Sequence, residues 1–372
     1  MAEASQTSSA KTVLGRILVP LLAIVTALVV SSLAMLLSGT NPIQAYLALG
    51  EGAFGSETAI VETLIKSAPF ILAGLGIALA FRGGLFNIGV QGQLFAGSVF
   101  AVVAGYAVEL PAIIHIPFAM LAGMVGGALW AAIPGYLKAR NGAHEVITTI
   151  MLNFIAARVI NWSIAINGPL RAPRTVVPET RAVLESARLP ILIPETRLHA
   201  GVIVALVAAV VVYWLLWRTV VGFEIRTVGA NPGAARYAGI NVQWNIVLTM
   251  LLSGALAGLG GAIQVMGLAP YNFTTGFNVG LGFDSIAVAV LGGIHPFGVV
   301  LASLLFGAMD AGARLMQLRT KVPIDIVTIA QGLILAFVAA DQIIRQLYRI
   351  RAKAEEGPVS LAQQYGGVDQ RP

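Results

Sequence analysis

The chain has 372 residues, of which 57% are hydrophobic and only 11% are charged, whereas soluble globular domains carry about 25% charged residues. So few charges cannot cover a surface in contact with water, and the composition therefore excludes a soluble globular protein and favours one embedded in a lipid bilayer. A net charge of +6 would suggest nucleic-acid binding in a soluble protein. Here the basic residues stand in short polar gaps between apolar runs, where they set membrane orientation, so we expect no nucleic-acid partner.

Residues 1–16 form a polar segment rich in Ser and Thr that contains Lys11 and Arg16. The long apolar run that follows has no convincing small-residue cleavage site, so we interpret it as an uncleaved first membrane span and not as a signal peptide. The polar segment is then a cytoplasmic N-terminal tail.

Uncharged stretches long enough to cross a bilayer, which takes about 20 apolar residues in a helix, recur along the chain. The run 237–283 is too long for one crossing and contains Gly, Pro and Asn, so it predicts a helix, a break and the start of another helix. Breaks at membrane depth are tolerated only inside protein or beside water. The sequence predicts an all-α polytopic membrane protein with one transmembrane domain, residues 17–341, and about ten spans. These predicted spans are 17–38, 66–81, 86–108, 111–134, 146–166, 199–217, 245–267, 282–294, 297–315 and 323–341.

Basic residues predict the orientation of these spans. They are frequent in the gap after the fourth span, in the gap 218–244 after the sixth, and in the C-terminal tail 342–372. With an even number of spans, the positive-inside rule then places both termini in the cytoplasm. The predicted outer segment 167–198 departs from the rule with five arginines, and its length suits the docking of an external partner. Three more basic residues also fall outside: Arg314, Arg319 and Lys321.

Two short segments of similar sequence lie far apart in the chain. Residues 84–89 read GLFNIG and residues 275–280 read TGFNVG, and each follows a span rich in Ala and Gly. Five predicted spans separate them, so the copies run in opposite directions and indicate a 5+5 inverted repeat. In such repeats, broken helices line a substrate path. The alternative is that each segment only makes a tight connection, since Gly and Asn accept positive φ.

Gln91 and Gln93, just after the first segment, favour the path interpretation, because uncharged amides early in a span are costly unless they face protein or water. Asp284 occupies a comparable place after the second segment. Asp284 has a second and stronger interpretation as the N-cap of the eighth span, just before Ser285. The predicted pathway residues are Phe86, Asn87, Gln91, Gln93, Phe277, Asn278 and Asp284.

The gap 218–244 contains a short helix with clear start and stop signals. Asn231 suits the N-cap, Pro232 the first helical position and Gly239 the left-handed residue that ends the helix, about two turns later. A helix this short is unstable alone in water, so it either docks into a partner or is a simple surface helix. Its predicted exposed face consists of Ala234, Ala235, Arg236 and Tyr237.

Residues 81–93 and 229–240 closely resemble the permease subunits of bacterial ABC importers, above all those for nucleosides, and the resemblance extends over almost the whole chain. It implies a subunit of the cytoplasmic (inner) membrane that translocates a small polar solute, and the expected solute is a nucleoside. The helix at 231–239 would be the coupling helix that fits a groove in the ATPase subunit. Gly233 replaces a Glu of the older permease signature.

The same resemblance implies three protein partners: an ATP-binding subunit that holds ATP and Mg²⁺, a second homologous permease, and an external solute-binding lipoprotein. The chain itself has no phosphate-binding loop of the Gly-x-x-x-x-Gly-Lys type and no cysteine, and its four histidines are scattered. We therefore expect no catalytic residues, no metal site and no cofactor on this chain. The alternatives are an ion-coupled secondary transporter that uses Asp284, and an ABC permease for a simple sugar.

Overall fold

The computed structural model describes residues 2–173, 175–274, 276–277, 280–340, 344 and 347–348, and of residues 2–17 only the backbone. This part of the chain folds into thirteen α-helices and one 3-10 turn at Glu185–Ala187, without β-strands. The helices are α1 (Ala2–Leu37), α2 (Pro42–Phe54), α3 (Glu57–Arg82), α4 (Val90–Ala107), α5 (Ala112–Asn141), α6 (Glu145–Ile164), α7 (Gly201–Arg218), α8 (Val220–Ala230), α9 (Pro232–Tyr237), α10 (Val242–Gly267), α11 (Leu281–Leu291), α12 (Pro296–Thr320) and α13 (Asp325–Ala339).

Eight of the helices in the described residues are long and apolar enough to cross a membrane: α1 from Leu18, α3, α4, α5, α6, α7, α10 and α12. Two shorter apolar helices, α11 and α13, stand where the eighth and tenth spans are predicted. The 11 residues of α11 reach only about 16 Å along the helix axis, about half the hydrocarbon thickness. The all-α polytopic class is confirmed, while the count of ten spans and the inverted repeat stay predictions.

The region before the second predicted span differs from the prediction. It contains the helix α2, which Asn41 caps by accepting a hydrogen bond from the Ile43 N–H at 2.9 Å. Helix α3 begins at Glu57, capped by Ser56, and not at residue 66. A search for uncharged runs stops at Lys66, but the helix continues through its charged residues.

Ion pairs on the predicted outer side account for two of the arginines that depart from the positive-inside rule. Arg197 donates from Nε to Glu62 Oε1 at 3.0 Å. Arg319 holds Glu51 with both terminal nitrogens, one of them at 2.8 Å, and so ties α12 to α2. Each ion pair therefore joins two segments that lie far apart in the chain.

The helices α5 and α10 are in backbone contact along a seam of four glycines. Gly123 and Gly127 on α5 face Gly254 and Gly258 on α10, each pair four residues apart. A Cβ on Gly127 would lie 2.2 Å from the Gly254 carbonyl oxygen, and one on Gly258 would lie 2.2 Å from that of Gly123. Small residues at this spacing let two membrane helices approach closely, so that van der Waals contact holds them together where the hydrophobic effect does not act.

Candidate functional site

The first repeat segment is a break between two helices. Helix α3 ends at Arg82 and α4 begins at Val90. Asn87 in the break and Gln93 in the first turn of α4 exchange two hydrogen bonds at 2.9 and 3.0 Å, and Asn87 also donates to Ser253 Oγ on α10 at 2.8 Å. Both amides are only 1% exposed. Since buried amides are costly without partners, this network fixes the break against α10.

A further amide, from α6, holds the start of α4. Asn153 accepts a hydrogen bond from the Gly92 N–H and donates one to the Ile88 carbonyl, both at 2.8 Å. The first N–H groups of a helix have no partner within it, so Asn153 supplies one from a neighbouring helix. Asn153 is not among the residues predicted from sequence, although a lone Asn in an apolar span is itself a signal of a functional or buried polar contact.

The second repeat segment lies in the break between α10 and α11. Phe277 is half-buried and packs against Phe273, with ring centroids 4.9 Å apart. The outer segment holds this break, because the Phe273 N–H donates to Thr180 Oγ1 at 2.9 Å and the Thr180 N–H donates to the Phe273 carbonyl at 3.0 Å. The predicted pathway residue Asn278 lies outside the described residues.

The two breaks bring helix starts together. Gly89 precedes α4 and Gly280 precedes α11, each as the N-cap residue. Two residues further on, the Gly282 N–H donates to Gln91 Oε1 at 2.7 Å, and a Cβ on Gly282 would lie 2.4 Å from the Gln91 nitrogen. Helix N-termini carry unpaired N–H groups and a partial positive charge. Their meeting point therefore favours partially negative acceptor atoms.

The remaining predicted pathway residues are more exposed. Phe86 is 40% exposed and packs on Phe81 at 4.8 Å between centroids. Asp284 is half-buried in the first turn of α11. The interpretation of Asp284 as an N-cap is wrong, because α11 already begins at Leu281 with Gly280 as its cap. A role of the predicted residues in lining a path stays a prediction.

A cavity of about 60 Å³ opens beside the second break. Its walls are aromatic on one side, where Phe95 meets Phe273 edge to face at 5.9 Å. This volume is far below the roughly 300 Å³ of a small-molecule pocket, so the cavity in this conformation has room for only a few waters. The lining residues are Phe95, Ala157, Ile160, Asn161, Phe273, Gly276 and Phe277.

Helix α9 has the start and stop that the sequence predicts. Asn231 Oδ1 accepts a hydrogen bond from the Ala234 N–H at 3.0 Å, Pro232 is the first residue, and Gly239 has φ of +81°. Tyr237 is 96% exposed, and Ala234 and Arg236 are also exposed. The prediction for Ala235 is wrong. It is fully buried and packs with Val228 and Val242, because one side of the helix must face α8 and α10.

Helix α8, which the sequence analysis did not predict, connects α9 to the first break. Its Gly229 lies directly on the turn at Arg82 and Gly84. A Cβ on Gly229 would lie 2.1 Å from the Arg82 carbonyl oxygen, and a Cβ on Gly84 would lie 2.9 Å from the Gly229 Cα. At Gly229, three residues before the start of α9, the backbone thus touches the segment that carries Asn87.

Comparison with known proteins identifies the family. Residues 59–339 match the family described as the branched-chain amino acid transport system / permease component. The chain belongs to this permease family. The permease is 44% identical to the guanosine ABC transporter permease protein NupP of Bacillus subtilis, over 89% of this chain and 95% of that one. It is 37% identical to the nucleoside ABC transporter permease protein NupB of Lactococcus lactis, over 88% and 92%. It is 33% identical to the glucose ABC transporter permease protein TsgB13 of Haloferax volcanii, over 89% of each chain.

Family membership confirms the resemblance drawn from residues 81–93 and 229–240. The permease is a multi-pass membrane component of an ABC transport system, and thus a transport subunit and not an enzyme. This finding also removes the ion-coupled secondary transporter as the leading alternative.

Proposed function

We propose that the permease is the transmembrane subunit of an ATP-driven importer that carries a nucleoside across the bacterial cytoplasmic membrane. The observation that carries this proposal is the similarity to two relatives named for guanosine and nucleoside transport, at 44% and 37% identity and nearly full coverage. The relative named for glucose is less similar, at 33%. A simple sugar is therefore the second candidate.

The two helix breaks provide groups that suit a nucleoside. Aromatic rings at Phe277 and Phe95 can stack on a planar base, and Asn161 on the cavity wall offers both hydrogen-bond donors and an acceptor. The partial positive charge at the starts of α4 and α11, near Val90 and Leu281, favours hydroxyl and carbonyl oxygens of the solute. Together with Phe86, Asn278 and Asp284 these residues would line the path, while Asn87 and Gln93 hold its frame. The cavity must widen for each passage, so tight binding is not expected.

The exposed helix α9 is the proposed contact with the ATP-binding subunit. It presents Ala234, Arg236 and Tyr237 outward, while Ala235 anchors it to the membrane helices. In this arrangement both termini lie in the cytoplasm, and ATP and Mg²⁺ bind to the partner subunit and not to this chain. A second homologous permease would complete the pore, and an external lipoprotein would deliver the solute to the outer segment 167–198.

Transport by the assembled complex tests the proposal. Proteoliposomes that contain the permease with its partner subunits should take up labelled guanosine only when ATP is present. The ATP must be on the side of the membrane where the ATP-binding subunit lies. Unlabelled nucleosides should compete strongly, and glucose or ribose should not. Competition by a sugar but not by nucleosides would show that the substrate is a sugar and not a nucleoside. Uptake without ATP that follows a proton or sodium gradient and disappears in Asp284→Asn would overturn the ABC mechanism.

A further inference from the structure

Two arginines meet around one tryptophan at the end of the helix bundle where α3 and α7 finish. The guanidinium carbon of Arg82 lies 5.5 Å from the centre of the Trp217 ring, and that of Arg226 lies 6.0 Å from it. Both arginines are half-buried. Contact with an aromatic face stabilises a cation modestly, but it does not neutralise the charge.

The charge of these arginines is not balanced by the described residues. No carboxylate oxygen there lies within 4.0 Å of either guanidinium, since the ion pairs found join other residues. Glu224, two residues before Arg226, accepts a hydrogen bond from Asn245 at 3.0 Å. Two like charges that are half-buried together repel each other and lose hydration, so the site favours an anion.

Each of the two guanidiniums is held by a hydrogen bond from its Nε to a backbone carbonyl. Arg82 uses Nε to bind the Ile294 carbonyl at 3.0 Å, and Arg226 uses Nε to bind the Leu216 carbonyl at 2.9 Å. These bonds fix each side chain and leave its two terminal nitrogens for a ligand. Paired terminal nitrogens match the oxygens of a phosphate group in geometry and charge.

The surroundings of the cluster fit a lipid. Tyr213 stacks on Trp217 at 5.2 Å and lies 5.1 Å from Phe297, which is 45% exposed. Tyr and Trp rings concentrate where the headgroups meet the hydrocarbon. Apolar side chains continue from this ring along α7 and α12 and would border an acyl chain: Val210 at 56%, Trp214 at 57% and Leu301 at 70% exposure.

We propose that Arg82 and Arg226, both in contact with the Trp217 ring, form a binding site for the phosphate headgroup of an anionic phospholipid. Basic pockets between membrane helices, next to an aromatic belt, bind such headgroups. The site joins the end of α3, the end of α7 and α8. The bound lipid would therefore brace the Arg82 turn against α8, where Gly229 touches Gly84.

Native mass spectrometry of the purified full chain tests the site. Phosphatidylglycerol should remain bound in preference to phosphatidylcholine, and Arg82→Gln or Arg226→Gln should each lower its retention about tenfold, as expected for one charge-assisted contact. The control Arg140→Gln removes an exposed charge at the end of α5 and should change nothing. Arg82→Lys and Arg226→Lys keep the charge without the paired nitrogens, and should give intermediate retention even if the Gln variants fold poorly.

Two results would overturn the proposal. In the first, phosphatidylglycerol retention is the same in all variants, which would make the cluster a purely structural cation–π contact. In the second, inorganic phosphate raises the melting temperature of the detergent-purified permease as much as phosphatidylglycerol does, with the same dependence on Arg82. The site would then take a soluble phosphate and not a lipid.

Discussion

Replacement of Gly229 by alanine should uncouple the exposed helix α9 from the first helix break. The new Cβ would lie 2.1 Å from the Arg82 carbonyl oxygen and 2.7 Å from the Gly84 nitrogen, so α8 and the turn must separate by about 1 Å to relieve the overlap. Overpacking of this kind typically costs about 1–3 kcal/mol. If this cost falls on the conformation that carries solute, a loss of about fivefold to 150-fold in transport follows.

The assay compares ATP-driven guanosine uptake and melting temperature for Gly229→Ala and for Gly332→Ala. Gly332 lies inside α13, and a Cβ added there would meet no atom within 4 Å, so its substitution should leave uptake unchanged and slightly favour the helix. Gly84→Ala, which strains the same contact from the other side at φ of +72°, should behave like Gly229→Ala. Normal uptake and melting in both contact variants would refute the proposed route between α9 and the break.

Three further predictions concern other parts of the molecule. Asn153→Leu removes the hydrogen-bond partner of the Gly92 N–H, which is buried, and of the Ile88 carbonyl, which is partly buried, at up to about 1–3 kcal/mol each. The melting temperature in detergent should therefore fall clearly, whereas Asn161→Leu on the same helix should change it little. Burial lowers the pKa of His199, which stands before the start of α7, from 6.5 to about 4. Because the unfolded chain then binds the proton more readily than the folded one, the free energy of unfolding is highest above pH 6.5 and falls by up to about 3 kcal/mol as the pH drops towards 4. Thermal unfolding measured against pH should show this fall in the wild-type chain and not in His199→Gln. Tyr237→Ala changes an almost fully exposed residue, so it should leave melting unchanged and reduce co-purification of the ATP-binding subunit; equal co-purification would contradict the assignment of α9 as the docking helix.

The sequence alone predicts helix ends correctly where they depend on neighbouring residues. The caps at Asn231 and Gly239 depend on residues within one or two turns, and the structure has them as predicted. The predicted start of α3 is wrong because charged residues, Lys66 and before it Glu62, lie inside the helix, and a pattern of uncharged runs ends at such residues. Glu62 has an ion-pair partner in Arg197, 135 residues further along the chain, and no local pattern reveals that pairing.

For the candidate site, composition identified the residues but not their arrangement. Amides in apolar spans indicated Asn87, Gln91 and Gln93, since such groups need partners. The sequence did not predict that Asn87 and Gln93 bind each other, or that Gln91 reaches Gly282, 191 residues away. The sequence does not decide which face of α9 carries Ala235, because an alanine is small enough for either the exposed or the buried face. The position of α8 decides it, since Ala235 packs against Val228 there.

The glycine seam between α5 and α10 limits how this subunit can move during transport. With backbone atoms already touching at Gly127 and Gly258, neither helix can slide or rotate against the other without steric overlap. We therefore expect the two helices to move together during transport, and the rearrangement to occur at the helix breaks, residues 83–89 and 268–274. Mutations that loosen the seam should consequently slow the transport cycle, because α5 and α10 could then shift against each other, even though these positions lie away from the solute.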